Sequence, residues 1–346
     1  MIYFNSDYLE GAHPSIMVKM AETNMVQTVG YGEDEYCEAA REKIKVACQA
    51  PEADVHFLVG GTQTNTTVIA AILRPWQGVI SAVSGHINCH EAGAIESTGH
   101  KVITLPTDNG KITAQQVADY VDWHKNDEST EHIVQPGMVY ISHPTEAGTL
   151  YTRAELTELY DTCRRYGLPL YIDGARLGYG LAAEESDMTL PEFARLCDVF
   201  YIGGTKVGAL FGEAVVIMNE SLKKDFRFIM KQRGGRLAKG RLLGIQFDAL
   251  FTDDLYFKIS RHAIEMAHQI RDIFVSAGYP LLFDSPTNQQ YPIMPDAELA
   301  EIGKSFGYEY WERVDKTHSG VRFCASWATT QENVDALREA VNALKK

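Results

Sequence analysis

A chain of 346 residues, 45% hydrophobic and 23% charged, is built like a water-soluble globular protein and is long enough for two lobes. Its formal charge of −14 argues against nonspecific binding to nucleic acid or to an anionic membrane surface. No run approaches the roughly 18 apolar residues of a membrane span, and residues 1–11 lack the basic-then-apolar pattern of a secretory signal.

In chain order, a helical pattern over 33–49 precedes an apolar run at 55–59, and a second helical pattern covers 63–73. Apolar runs follow at 78–82 and 102–105, then a helix over 113–124, a run at 138–142 and a helix over 153–166. Three more runs occupy 169–172, 199–202 and 214–218. Strands alternating with helices predict an α/β sandwich with helices on both faces. The alternation stops near Met218, after which one long helical stretch over 240–276 leads into a tail of mixed signals. The pattern predicts a large α/β lobe with a short N-terminal arm, residues 1–245, and a smaller C-terminal lobe, residues 246–346. The six cysteines are scattered without a Cys-x-x-Cys pair, which suggests reduced thiols and a cytoplasmic location.

Two charged residues close buried runs. Asp173 ends the run 168–172 and precedes Gly174, Ala175 and Arg176; Lys206 follows the run 199–202 just past Gly203 and Gly204. Such placement puts a charge at the sheet edge where α/β proteins bind ligands. An aldehyde cofactor needs an amine for its imine bond and an anion to keep its pyridine nitrogen protonated, and this pair could supply both. An ordinary ion pair at a sheet edge explains the spacing equally well.

Gly60, Gly61 and Thr62 join the run 55–59 to a helix, and free N–H groups at a helix start suit a phosphate. Neither the Walker loop nor the dinucleotide fingerprint is present. His86 and His90 lie four apart, with Cys89 beside them, a spacing open to zinc, to a packed or capping histidine, or to an imidazole lying flat on a cofactor ring. No further ligand cluster accompanies them, so a metal is not expected. Residues 223–241 carry eight basic side chains against the single acid Asp225. Most read as a solvated helix face, but Gly234 and Gly235 interrupt the helix, and a loop Arg236 could reach a phosphate. Arg322, isolated in the apolar run 320–324, needs an anion: a substrate carboxylate, or an internal Asp or Glu.

Taken together and in order, these segments resemble the threonine aldolase and β-eliminating lyase family of fold-type-I pyridoxal-phosphate enzymes. The resemblance runs through Asn5-Ser6-Asp7, Tyr31-Gly32-Glu33-Asp34, Gly61-Thr62, Gly85-His86-Ile87, Ile172-Asp173-Gly174-Ala175-Arg176, Thr205-Lys206 and Val321-Arg322. Its most specific part is Asp-Gly-Ala-Arg with a lysine 33 residues after the aspartate. It implies a large α/β/α domain with a smaller α+β domain, and pyridoxal 5′-phosphate as cofactor. Lys206 would form the imine bond, Asp173 would pair with the pyridine nitrogen, and His86 would stack on the ring. Gly61, Thr62 and Thr205 would hold the phosphate, joined by Arg236. Ser6, Arg176 and Arg322 would hold the carboxylate of an amino-acid substrate, with Arg176 also next to the cofactor. The resemblance further implies a homodimer or homotetramer with sites shared across an interface. Tyr31 and one of Arg233 and Arg236 would then serve a neighbour's site.

The expected reaction cleaves threonine-like β-hydroxy amino acids to glycine and an aldehyde, with His86 the nearest titratable group for the hydroxyl proton. The rival reactions on the same site are β-elimination and racemisation. A non-catalytic binding protein would be expected to have lost the lysine or the aspartate. Two departures from the family pattern put the substrate in doubt. Its common Glu-Asn-Thr-His segment is replaced by Ser142-His143-Pro144-Thr145-Glu146, and threonine precedes Lys206 where serine is usual.

Overall fold

The computed structural model describes residues 1–345. All seven apolar runs form strands of one sheet. Their spatial order is Asp54–Leu58, Glu213–Ile217, Val199–Gly203, Leu170–Asp173, Gln135–Ser142, Gln77–Ala82 and Val102–Leu105. Neighbours run parallel except Glu213–Ile217, which is antiparallel to both strands beside it. The strand expected at 138–142 begins three residues earlier, at Gln135.

Side chains alternate across a strand, so each strand feeds two cores. Val139 and Ile141 join one with Ile44, Val117 and Leu156 of the helices Glu35–Cys48, Ala114–Asn126 and Arg153–Tyr166. Met138 and Tyr140 join the other with Val68 of the helix Gly61–Ile72 and Met230 of Phe226–Gln232. Each such buried apolar side chain contributes about 1.5–3 kcal/mol. Local chemistry sets the helix ends. Asp34 accepts a hydrogen bond from the N–H of Cys37, Thr152 and Glu155 form a reciprocal cap, and Gly167 closes its helix at φ 71°.

The stretch 240–276 is not one helix. It divides into Arg241–Leu250 and Leu255–Ser276, because Asp253 and Asp254 take φ values of 51° and 57°. Aspartate tolerates that left-handed geometry better than most side chains and is a poor interior helix former. The expected boundary at 245/246 falls inside Arg241–Leu250, whose Leu243, Phe247 and Leu250 pack into the large core. The core changes partway along the next helix: Tyr256 and Ile264 join the large core, whereas Met266, Ile270 and Phe274 join a second one. Phe4 also belongs to this second core, and Ile2–Tyr3 pairs with Phe306–Gly307, so the N-terminal arm packs on the C-terminal lobe. That lobe is built on the antiparallel strands Ile293–Pro295, His318–Cys324 and Glu309–Arg313. No helix is long and apolar enough to cross a membrane among the described residues.

Candidate active site

The carboxyl ends of the parallel strands open into a cavity of about 450 Å³. Asp173, last residue of its strand, lies in the wall with both carboxylate oxygens already held. Oδ1 accepts from Ala175 N at 3.0 Å and from the Tyr201 hydroxyl; Oδ2 accepts from the Tyr140 hydroxyl at 2.7 Å and from Asn65 Nδ2 at 3.1 Å. Burial pushes this carboxyl up, but His86 and these donors outweigh it and hold Asp173 below the usual aspartate range. The result is a fixed, buried anion facing the cavity.

Lys206 is in the same wall, after a strand and two glycines, with its carbonyl held by the Tyr179 hydroxyl at 2.6 Å. Burial, reinforced by Arg176, lowers its pKa against the pull of Asp7, Asp173 and Glu213. A lowered ammonium pKa raises the share of free amine, the form that adds to an aldehyde. His86 opens the short helix His86–Cys89, and its Nδ1 lies 2.8 Å from Glu91 Oε1. Burial lowers its pKa, but the Glu91 hydrogen bond and the Asp173 charge outweigh that and raise it above the usual histidine value. Asn65 links the two anions, donating to Glu91 at 2.7 Å as well as to Asp173.

Gly61 and Thr62 are cavity residues, and the helix they belong to starts two residues earlier than expected, so they form its first turn. Gly60 caps it without a side-chain bond, and the first paired N–H is that of Thr64, to Gly60 O at 3.0 Å. The N–H groups of Gly61 and Thr62 are thereby left for an anion. A Cβ on Gly61 would stand 3.2 Å from the Tyr201 hydroxyl. Thr205 lines the cavity too, but its hydroxyl is engaged by the protein, accepting from Gly212 N at 3.0 Å and bonding Glu213. Glu213, whose carboxyl burial pushes up to about 8, accepts from Gly204 N at 3.0 Å.

Of the three predicted carboxylate anchors, the two arginines reach the cavity, each already facing an acid. Arg176 forms a two-pronged pair with Asp7, at 2.7 and 3.0 Å, and Asn288 donates to the same carboxylate at 2.9 Å. Arg322 pairs with Glu309 and donates to Gln289 Oε1 at 3.0 Å and Asn5 O at 3.1 Å, while its Nε has no partner. The internal acid weighed for Arg322 therefore exists, and its Nε–H remains for a ligand. Ser6 is buried next to this cluster but is not a wall residue, and its hydroxyl has no protein partner.

Arg236 is not at this cavity. It sits with Tyr31, its guanidinium 5.8 Å from the ring centre, and 3.6 Å from Glu33. The His86 and His90 rings are 5.6 Å apart, but no group of three His, Cys, Asp or Glu poised for a metal occurs among the described residues. Within the variant segment, His143 is sealed beside Phe193, and burial pushes its pKa down to about 4. Thr145 bonds Thr149 at 2.7 Å, and only Glu146 of the five is a cavity residue. Tyr140 and Tyr201 escaped sequence reasoning because they read as ordinary strand residues. The available signal was that a tyrosine in a buried run must find a partner for its hydroxyl. Asp7, Glu91, Glu146 and Glu213 carried no local signature.

A parallel-stranded three-layer domain, with a lysine and an anchored aspartate at the strand ends, has the architecture of the fold-type-I pyridoxal-phosphate enzymes. A histidinol-phosphate aminotransferase of Clostridium acetobutylicum shares that fold at 11% identity, with a TM-score of 0.76 over 100% of this chain and 99% of that one. The chain belongs to the β-eliminating lyase family, whose model matches residues 4–339. It is similar to a Leishmania major threonine aldolase structure at 42% identity and a TM-score of 0.97, over 100% of each chain. A low specificity L-threonine aldolase of Pseudomonas aeruginosa is 28% identical over 337 residues, covering 96% of this chain and 95% of the relative.

Proposed function

We propose that this chain is a pyridoxal-phosphate-dependent lyase that cleaves threonine-like β-hydroxy-α-amino acids to glycine and an aldehyde. The observation that carries the reading is one cavity holding a buried amine at Lys206, an anchored anion at Asp173 and the two arginines Arg176 and Arg322. These residues fit the cofactor. Lys206 would bond its aldehyde carbon, Asp173 would keep its pyridine nitrogen protonated, the N–H groups of Gly61 and Thr62 would take its phosphate, and the His86 imidazole would cover its ring. Bound there, the cofactor supplies an electron sink for a bond to Cα.

The protein then decides which bond breaks. Arg176 and Arg322 fix the substrate carboxylate, and with the amine also fixed, the Cα–Cβ bond can be set perpendicular to the sink. The relatives named as threonine aldolases support cleavage at that bond. Tyr31 and Arg236 lie apart from their own cavity, which supports a homodimer or homotetramer in which they complete a neighbour's site.

The test is product identification by proton NMR, with threonine and with serine as substrates. Glycine with acetaldehyde from threonine supports the reading. A keto acid with ammonia, or racemised threonine without an aldehyde, would replace it by elimination or racemisation.

A further inference from the structure

Four acids line the cavity, and three are committed elsewhere. Asp173 is held by four donors, Glu309 is paired with Arg322, and Glu213 is buried against the Gly204 N–H and Thr205. Glu146 is different. Its Oε1 accepts from the Ser142 hydroxyl at 2.6 Å and from the backbone N–H of His86 at 2.9 Å. Its Oε2 receives no side-chain hydrogen bond, and no lysine or arginine pairs with it. The Tyr291 hydroxyl, 2.6 Å from the Glu146 carbonyl oxygen, ties down the backbone as well. The carboxylate is thus aimed by the Ser142 hydroxyl, the His86 N–H and its own backbone N–H, and no side-chain donor engages Oε2.

We propose that Glu146 is the base that takes the β-hydroxyl proton of the substrate. The proposal rests on the aldolase reading and adds the residue that begins the cleavage. Three observations favour Glu146 over His86. The His86 Nδ1 is committed to Glu91, a bond that raises the imidazole pKa and so favours its protonated, non-accepting form. Glu146 is anchored to the His86 N–H, so it lies on the side of the cavity that His86 forms. Burial also pushes the Glu146 carboxyl up, toward the basicity that suits proton transfer near neutral pH.

In the step, the hydroxyl proton moves to Glu146 and the O–H electron pair becomes the second bond of the aldehyde carbonyl. The Cα–Cβ bond breaks and its pair stays with Cα, which later takes a proton from solvent to give glycine, and Glu146 returns its proton to solvent.

The test is Glu146→Gln, which keeps size and hydrogen-bond capacity but cannot take a proton. Threonine cleavage should fall by about a hundredfold or more, within the usual range for loss of a general base. Exchange of the glycine α-proton in deuterium oxide, which involves no hydroxyl, should stay within a few fold of wild type. The cofactor absorbance and thermal midpoint should be unchanged. Retained cleavage in Glu146→Gln would overturn the assignment. So would parallel loss of cleavage and exchange, since Glu146 would then serve the cofactor or the fold. Failure of the parent reading looks different: the wild-type enzyme itself would release no aldehyde from threonine.

Discussion

At the scale of single residues, the proposed chemistry depends on charges held by burial and by protein donors. Lys206 is the only lysine of the cavity wall among the described residues, and burial lowers its pKa toward the free amine. Lys206→Ala is expected to abolish the absorbance of a protein-bound cofactor imine and to reduce turnover by several orders of magnitude. Spectra of the reconstituted mutant check this, and borohydride reduction followed by peptide mapping locates the attachment; cofactor on any other lysine would displace Lys206 from its role.

Asp7 makes a second residue-scale case, because its carboxyl is fully buried against Arg176 and lies at about 2. Burial alone would raise it; the Arg176 and Lys206 charges and two side-chain hydrogen bonds more than reverse that. A carboxyl depressed in the folded state stabilises fully above its ordinary value of 3.8, and that stability is lost as pH falls through about 2. The wild-type protein should therefore lose about 2 kcal/mol more than Asp7→Asn between pH 4 and pH 2. Denaturant unfolding at both pH values measures this; equal losses in the two proteins would place the depression elsewhere.

At the scale of elements, the strand ends that carry Asp173 and Lys206 are locked together by glycines. Gly203 N donates to Gly174 O at 2.9 Å, and a Cβ on Gly174 would stand 2.0 Å from the carbonyl oxygen of Tyr201. That oxygen is backbone and cannot swing aside. Gly174→Ala should cost roughly 1–3 kcal/mol in overpacking and shift Asp173 away from its four donors. The mutant should then show a lower thermal midpoint together with weaker cofactor binding; an unchanged midpoint would mean the strand ends can separate freely.

At the scale of the whole molecule, the groups proposed to do the chemistry are divided between lobes. Asp173 ends a strand of the large sheet, and Lys206 and His86 stand just past two others, whereas Arg322 lies on a strand of the C-terminal lobe and Asp7 on the arm that packs there. If Arg236 serves a neighbouring subunit, two inactive variants should rescue each other. Mixed and reassociated Lys206→Ala and Arg236→Ala proteins should regain roughly a quarter of wild-type activity, because about half the dimers are hybrids with one intact site of two. No activity above that of the separate variants would confine Arg236 to its own chain.

The same scales separate what was legible in the chain from what was not. All seven strands were readable, because a strand buried on both faces must be apolar throughout and its length is bounded by turn residues. Lys206 and Asp173 could be singled out because each stands at or just past the end of such a run, although an ordinary ion pair at a sheet edge accounts for that spacing equally well. The break at Asp253 and Asp254 was missed, since two aspartates within a helical periodicity resemble an exposed face until their backbone angles are known. No role could be given from the sequence to Glu146, Glu213, Glu91 or Asp7, for a different reason. An acid becomes functional through what surrounds it, and their partners lie up to 281 positions away in the chain. Periodicity and strand-end chemistry are local, and the sequence carries them openly. Which acids stay charged, which arginine is already paired and which carboxylate keeps a free oxygen depend on burial and on distant donors, and only folding brings those together.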